Sequence, residues 1–188
     1  MSGETREAIM AAARPLAQRH GYGGLSFREL AKAVGIKSSS IHYHFATKGD
    51  LGAALAREYT REAERELSAI SASQPDPALC MSSYLAIFRR ALENGNRMCL
   101  CNMMAAEFDD LPDPVKVEVA SFADANVDWL EAILGRHHHT RENGANRRQA
   151  SAIFAAIGGA QLAARGRGKV DYYDEIVDTY RLSGLIPF

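Results

Sequence analysis

Ser26-Phe27-Arg28-Glu29-Leu30-Ala31-Lys32-Ala33-Val34-Gly35-Ile36-Lys37-Ser38-Ser39-Ser40-Ile41-His42-Tyr43-His44-Phe45 reads as two short helices and the turn between them. The Ser26 hydroxyl and the Glu29 carboxylate are spaced to cap each other's free backbone N–H groups, so a helix starts there. It presents Phe27, Leu30, Ala31 and Val34 to a core and stops at Gly35, whose missing Cβ permits a left-handed C-terminal conformation. After a three-residue turn a further helix is expected over Ser38–His44, with Ile41 and Phe45, four apart, as its inward anchors. Two short helices joined by a glycine-containing turn form a helix-turn-helix, a unit that sets its second helix into a DNA major groove.

The remaining face of that second helix is almost wholly polar. Ser38, Ser39, Ser40, His42, Tyr43 and His44 carry hydroxyl and imidazole groups able to exchange hydrogen bonds with base edges and phosphates, and Lys37 adds charge near the backbone. Lys37 also places a positive charge at the positive end of a helix dipole, an arrangement that a nearby anion such as a phosphate relieves. Each residue has a plainer reading too. Ser38, Ser39 and Ser40 suit a capped turn, and Tyr43 fits framework as well as readout.

Outward from this unit the apolar spacing is helical nearly everywhere, and no stretch alternates with the two-residue period of a half-buried strand, so the fold class is all-α. A first helix is expected over Glu4–His20, with Ile9, Ala12, Ala13, Leu16 and Ala17 on one face, Gly21 as its end, and a local bend at Pro15. A long helix follows from a Thr47 cap to Ser68, carrying Leu51, Ala54, Leu55, Glu58 and Tyr59 along its first face. Ser71-Ala72-Ser73-Gln74-Pro75-Asp76-Pro77 reads as a linker. Later helices are expected over 78–94, 97–109, 114–136, 143–165 and 171–182. There is no internal repeat or low-complexity tract.

The chain has 188 residues, 47% hydrophobic and 24% charged, a balance suited to burying a core. Residues 1–50 hold seven Lys/Arg against four Asp/Glu, and the rest fifteen against nineteen. A mildly basic head on an acidic body suits a protein that presents one end to phosphate. No apolar run reaches bilayer length and the first residues lack a signal-peptide core, which leads to an expectation of a cytoplasmic protein without a membrane partner. Cys80, Cys99 and Cys101 make no even disulfide framework, and a Cys-x-Cys pair without partner ligands is a poor zinc signal. His137-His138-His139 point in different directions and have no partner four residues on, so a solvated loop is expected there rather than a metal site. No Cys-His-Asn, Ser-His-Asp or paired-carboxylate spacing supports an enzyme, and no cofactor is implied.

In the second half, Val115, Val119, Phe122, Asn126, Trp129 and Ile133 recur at helical intervals as one stripe, mainly core, in which a buried Asn126 requires a hydrogen-bond partner. With Phe88, Met98, Cys99, Met103 and Phe154, the residues Phe122, Asn126 and Trp129 are the candidate lining of an effector pocket. Cys99 sits at the start of an expected helix, beside Arg97, where the helix dipole lowers a thiol's pKa; this marks it as a candidate electrophile or oxidant sensor, against the plainer reading of buried, inert cysteine. Small residues from Ala155 to Ala163 let helices approach closely. Ala156, Gly159 and Ala163, with Tyr173, Ile176, Val177 and Tyr180, form a candidate dimer interface, with intramolecular packing as the alternative.

Gly21 through Leu51 resembles the DNA-binding segment of TetR-family regulators. The resemblance is carried by Gly21-Tyr22, Ser26, Arg28-Glu29-Leu30-Ala31, Val34-Gly35-Ile36, Ser40-Ile41, His44-Phe45 and Thr47-Lys48-x-x-Leu51. It implies a homodimer that binds double-stranded DNA and answers an unidentified small-molecule effector, usually as a repressor. It also implies that Lys48 holds one phosphate and the Ser26 end of the second helix another. Residues 1–47 are then the DNA-binding domain and 48–188 the effector-binding and dimerisation domain. Leu25, Lys37, Ser39 and His42 depart from the family's usual Thr, Ser or Thr, Gly and Tyr, so no operator sequence follows from the resemblance. Two alternatives stand beside it: a DNA-bound architectural or division-control protein with no effector, and a redox or electrophile sensor acting through Cys99.

Overall fold

The computed structural model describes residues 2–137 and 144–188. Among them are nine α-helices and one short 3-10 helix, and no strand. The helices are α1 (Ser2–His20), α2 (Phe27–Val34), α3 (Ser38–His44), α4 (Lys48–Ser73), α5 (Pro77–Glu93), α6 (Leu100–Ala105), α7 (Asp113–His137), α8 (Ala145–Arg167) and α9 (Asp171–Leu182), with the 3-10 turn at Phe108–Asp110 between α6 and α7. None is long and apolar enough to cross a membrane. His138 and His139 lie outside the described residues.

The chain forms two compact units, residues 1–60 with 99–122, and residues 61–98 with 123–188. In the first, Ile9, Ala13 and Ala17 of α1, Leu30 of α2, Ile41 of α3 and Leu51 of α4 are fully or almost fully buried, joined by Leu100 and Met104 of α6 and Val115 of α7. For α1 to α4 and α7 this is the expected face, since apolar residues three and four apart share one side; on α6 no such face was expected. The unit holding the helix-turn-helix therefore also contains α6 and the start of α7, segments far away in sequence. In the second unit the core is built from Met81, Tyr84, Leu85 and Phe88 of α5, Leu130, Ile133 and Leu134 of α7, Ile153 and Ile157 of α8, and Tyr173 of α9.

Capping explains several boundaries. Gly35 takes φ 76° and donates its N–H to the carbonyls of Ala31 and Lys32, ending α2. Thr47 and Asp50 cap α4 reciprocally: the Asp50 N–H donates to Thr47 Oγ1 at 3.1 Å and the Thr47 N–H to Asp50 Oδ2 at 2.9 Å. Asp76 accepts from the Ala78 N–H at 2.9 Å with Pro77 as the first residue of α5. At Ser26 the hydroxyl lies 3.5 Å from the Glu29 N–H, while the Glu29 carboxylate turns outward to Lys32 at 3.2 Å and Arg28 at 3.3 Å, so the expected box closes on one side.

Two expected boundaries move. The stretch read as a linker from Ser71 shrinks to Gln74–Asp76, because α4 continues to Ser73. The Trp129 indole N–H reaches both the Leu67 carbonyl at 2.9 Å and the Ser71 hydroxyl at 2.8 Å, tying down the turn that sequence alone left weak. The helix expected over 97–109 shortens to Leu100–Ala105. Upstream, Gly95 and Asn96 take positive φ and the Arg97 N–H returns to the Ala91 carbonyl at 3.0 Å, so the chain is still closing α5 where a new helix was expected. Helix α1 runs through Pro15.

Candidate nucleic-acid interface

Helix α3 is short, and Lys37, at its N-cap, has extended backbone angles and makes no side-chain cap. Seven residues do not hold a helix together in water, and tertiary anchoring does so here. Ile41 is 0% and Phe45 3% exposed, and the Arg6 guanidinium lies 5.0 Å from the Phe45 ring centre. With those two residues facing inward, Lys37, Ser38, Ser39, His42 and Tyr43 are exposed, and Ser40 and His44 half-buried. Tyr43 is 79% exposed, so its ring is not part of the buried core of this unit. It meets the His44 ring edge-on, 5.2 Å between centres. His42 is steadied more firmly, its ring edge-on to Phe27 at 4.9 Å and its Nδ1 3.4 Å from the Ala46 carbonyl oxygen. The face is a row of hydrogen-bonding groups on a helix fixed from behind, which is what reading base edges demands.

Lys48 opens α4 and its ammonium has a protein partner already. It donates to the Gly23 carbonyl at 3.2 Å and lies 4.4 Å from the centre of the Tyr22 ring. An ammonium has three donors, so a phosphate is accommodated alongside the carbonyl. Ser26, half-buried at the start of α2, has its hydroxyl engaged in capping. The other side of the Gly21–Gly24 turn is held by Glu107, a residue that sequence reasoning passed over. Its carboxylate accepts from the Tyr22 N–H and, at 3.1 Å, from the Gly23 N–H. The only signal available was indirect: a glycine-rich turn after a helix leaves backbone donors needing an acceptor.

The candidate effector residues divide between the units. Cys99, Met103 and Phe122 belong to the first, and Phe88, Met98, Asn126, Trp129 and Phe154 to the second. Asn126, 2% exposed, has the partner its burial requires: the Tyr84 hydroxyl donates to its Oδ1 at 3.0 Å. Tyr84 also stacks on Trp129 and meets Phe88 edge-on, both at 5.2 Å between ring centres. Tyr84 is thus the hub of this aromatic group, and it was missed because it lies on α5, outside the stripe on α7 that drew attention to Asn126 and Trp129. The expectation of a low thiol pKa at Cys99 is overturned. Cys99 is 1% exposed and caps α6 through no side-chain bond. Burial pushes its thiol up from 9.0 to about 11, outweighing the backbone N–H groups of Asn102 and Cys101, the Tyr59 hydroxyl and the charge of Arg14, all of which favour the thiolate.

On α8 and α9 the expected dimer residues also separate. Gly159 and Ala163 are exposed, and Ala156, Ile176 and Tyr180 half-buried. Tyr173 and Val177, by contrast, are 1% and 4% exposed and face inward, and the Tyr173 hydroxyl donates to the Leu85 carbonyl at 3.0 Å. They are core of the second unit and are not available to a partner. Two readings three or four residues apart on α9, Tyr173–Val177 and Ile176–Tyr180, look alike in sequence because both are apolar pairs at helical spacing.

The sequence profile described as bacterial regulatory proteins, tetR family, matches residues 9–55. No curated protein matches the chain. Among solved structures, a TetR-family transcriptional regulator from Agrobacterium tumefaciens is 29% identical, with a TM-score of 0.88 over 94% of this chain and 95% of that one. A TetR transcriptional regulator from Legionella pneumophila is 30% identical, with a TM-score of 0.85 over the same shares, 94% and 95%. The reduced form of NemR from E. coli, 22% identical with a TM-score of 0.77 over 93% and 94%, shares the fold. The helix-turn-helix at α2–α3, its match to the tetR profile and a 30% identical relative spanning nearly the whole chain lead to one conclusion: the chain belongs to the TetR family of bacterial regulatory proteins.

Proposed function

We propose that this protein is a sequence-specific transcriptional repressor of the cytoplasm, a regulator and not a catalyst, which grips an operator as a homodimer and is released by a small effector. The observation that carries the reading is the outward face of α3, where Lys37, Ser39, His42 and Tyr43 are exposed while Ile41 and Phe45 anchor the helix from behind. Residues 1–47 read the DNA, Ser38, Ser40 and His44 completing the α3 contacts, with Ser26 and Lys48 at the flanking phosphates. Residues 48–188 dimerise and take the effector. Exposed Gly159 and Ala163 with half-buried Ala156, Ile176 and Tyr180 supply the surface for the second copy. The aromatic group of Tyr84, Phe88 and Trp129 around Asn126 supports an effector with a flat apolar body and one hydrogen-bonding group, since such a site offers ring faces and a single amide.

A homodimer carries two α3 helices, and these meet successive major grooves on one face of the duplex when about 34–36 Å apart. Selection from random DNA is therefore expected to recover an inverted repeat with half-sites about one helical turn apart. Recovery of an unsymmetrical site bound by one chain would overturn the homodimer, and recovery of no preferred sequence would overturn readout by α3.

A further inference from the structure

Gly23 is gripped at both ends of its backbone by opposite charges from two distant segments. Its N–H, with that of Tyr22, donates to the Glu107 carboxylate, and its carbonyl accepts from the Lys48 ammonium at 3.2 Å. Glu107 itself is placed by its own N–H, which returns to the Met104 carbonyl at 2.9 Å at the end of α6. The Glu107 carboxylate lies close against the turn. A Cβ on Gly21, which already holds φ 72°, would fall 2.1 Å from Glu107 Oε2, and one on Gly23 would fall 3.0 Å from Oε1. A Cβ on Gly52 would fall 2.9 Å from the Tyr22 ring and 3.1 Å from Val115, so α4 is pressed against the same turn. The Gly21–Gly24 turn leads into α2, and Lys48 begins α4 directly after the helix-turn-helix.

We infer that Glu107 is a positioning residue for DNA binding: by clamping the Tyr22 and Gly23 amides it fixes the carbonyl that aims Lys48, and so links the α6 segment to phosphate contact. The inference rests on the reading of Lys48 as a phosphate contact. Without the carboxylate, two backbone donors at the turn revert to water, the Gly23 carbonyl loses its fixed direction, and the Lys48 side chain regains rotamers that it must give up again on meeting DNA. Glu107 therefore affects affinity without touching DNA, and base preference is left alone because α3 is not altered.

The test is a double-mutant cycle on the full-length protein with its selected operator. Glu107→Ala and Lys48→Ala are each expected to weaken binding by about three- to tenfold on every sequence and to lower the salt slope by about one. The double variant is expected to bind no more weakly than Lys48→Ala alone. Glu107→Gln, which keeps one acceptor oxygen, is expected to fall between wild type and Glu107→Ala. Amide hydrogen exchange at Tyr22 and Gly23 is expected to speed up in the Glu107 variants, which reports the clamp without DNA. Additive losses, or a Glu107→Ala variant with wild-type affinity and salt slope, would overturn the proposal while the DNA-binding reading stands. A wild-type chain that retains no DNA would overturn that reading instead. Should Glu107→Ala fail to fold, Glu107→Gln, which keeps the size of the side chain and one acceptor, takes its place with the same pattern at smaller amplitude.

Discussion

Helices α3 and α8 both turn a face outward that carries little apolar bulk, and the chemistry of the two faces is opposite. On α3 the exposed groups are an ammonium, hydroxyls, an imidazole and a phenol. Along the middle of α8 they are Ala152, Ala155, Gly159, Leu162 and Ala163, between Arg147, Arg148 and Ser151 at one end and Arg167 at the other, with Ile153, Ile157, Ala160 and Ala164 buried behind them. A Cβ added to Gly159 would meet nothing within 4 Å. The glycine is thus not required by packing inside the chain, in contrast to Gly21, where a Cβ would strike Glu107. Hydrogen-bonding groups lose little by standing in water and gain when matched to base edges. A surface of alanine, glycine and one leucine, Leu162, has little to offer a polar ligand, yet it lets a second helix come close and bury apolar area. Exposure alone therefore says little; the chemistry of the exposed groups is what separates the two proposed roles.

The strongest way to break this contrast is to charge the smooth face. Ala163→Glu is expected to leave the monomer folded, since the site is exposed, and to separate the dimer, because an unpaired carboxylate at a helix–helix contact cannot be desolvated cheaply. Operator affinity should then fall roughly 10²-fold or more through loss of the second, linked contact. Sedimentation at micromolar concentration alongside a binding titration checks both. A dimer that survives unchanged would move the interface away from α8.

A finer division lies within the DNA face. Replacement of Ser39 or Tyr43 is expected to alter base preference at particular operator positions, by about 1–3 kcal/mol where a good contact is lost. Lys48→Ala is expected to weaken all sequences alike. Binding measured across an operator library separates the two patterns, and identical profiles for the Ser39 and Lys48 variants would erase the distinction between reading and positioning.

The smallest effect concerns Cys99. Its folded thiol is held protonated up to about 11, above the value of an unfolded chain, near 8.5. The contribution to stability is therefore fully present at lower pH and is lost as pH rises through about 11, because the unfolded state ionises first. Denaturant unfolding of wild type and Cys99→Ala should converge as pH is raised across that range. Native Cys99 should also label slowly with a thiol reagent at neutral pH, and rapid labelling would restore a sensing role.

Much of the first unit was legible because its signals are local. Ser26 and Thr47 as caps, Gly35 as a stop and the Ile41–Phe45 pair are each decided within four residues of chain. What escaped depends on contacts across long stretches of sequence. Glu107 is 84 residues from the Gly23 N–H it accepts, and Tyr84 is 42 residues from Asn126. At Cys99 the local dipole argument for a low pKa was outweighed by burial, which favours the plainer reading of a buried, inert cysteine. On α9 the periodicity located an apolar helix correctly, but could not say that Tyr173 and Val177 face inward while Ile176 and Tyr180 remain partly open.

Trp129 is the chain's single tryptophan, and its indole is both hydrogen-bonded to α4 and stacked on Tyr84. The protein therefore carries its own optical reporter. Light absorbed at the red edge excites one ring only, and that ring sits beside the Tyr84–Asn126 hydrogen bond. Emission wavelength and lifetime thus track the polarity and rigidity of this one neighbourhood, so a compound entering it announces itself in an unlabelled sample.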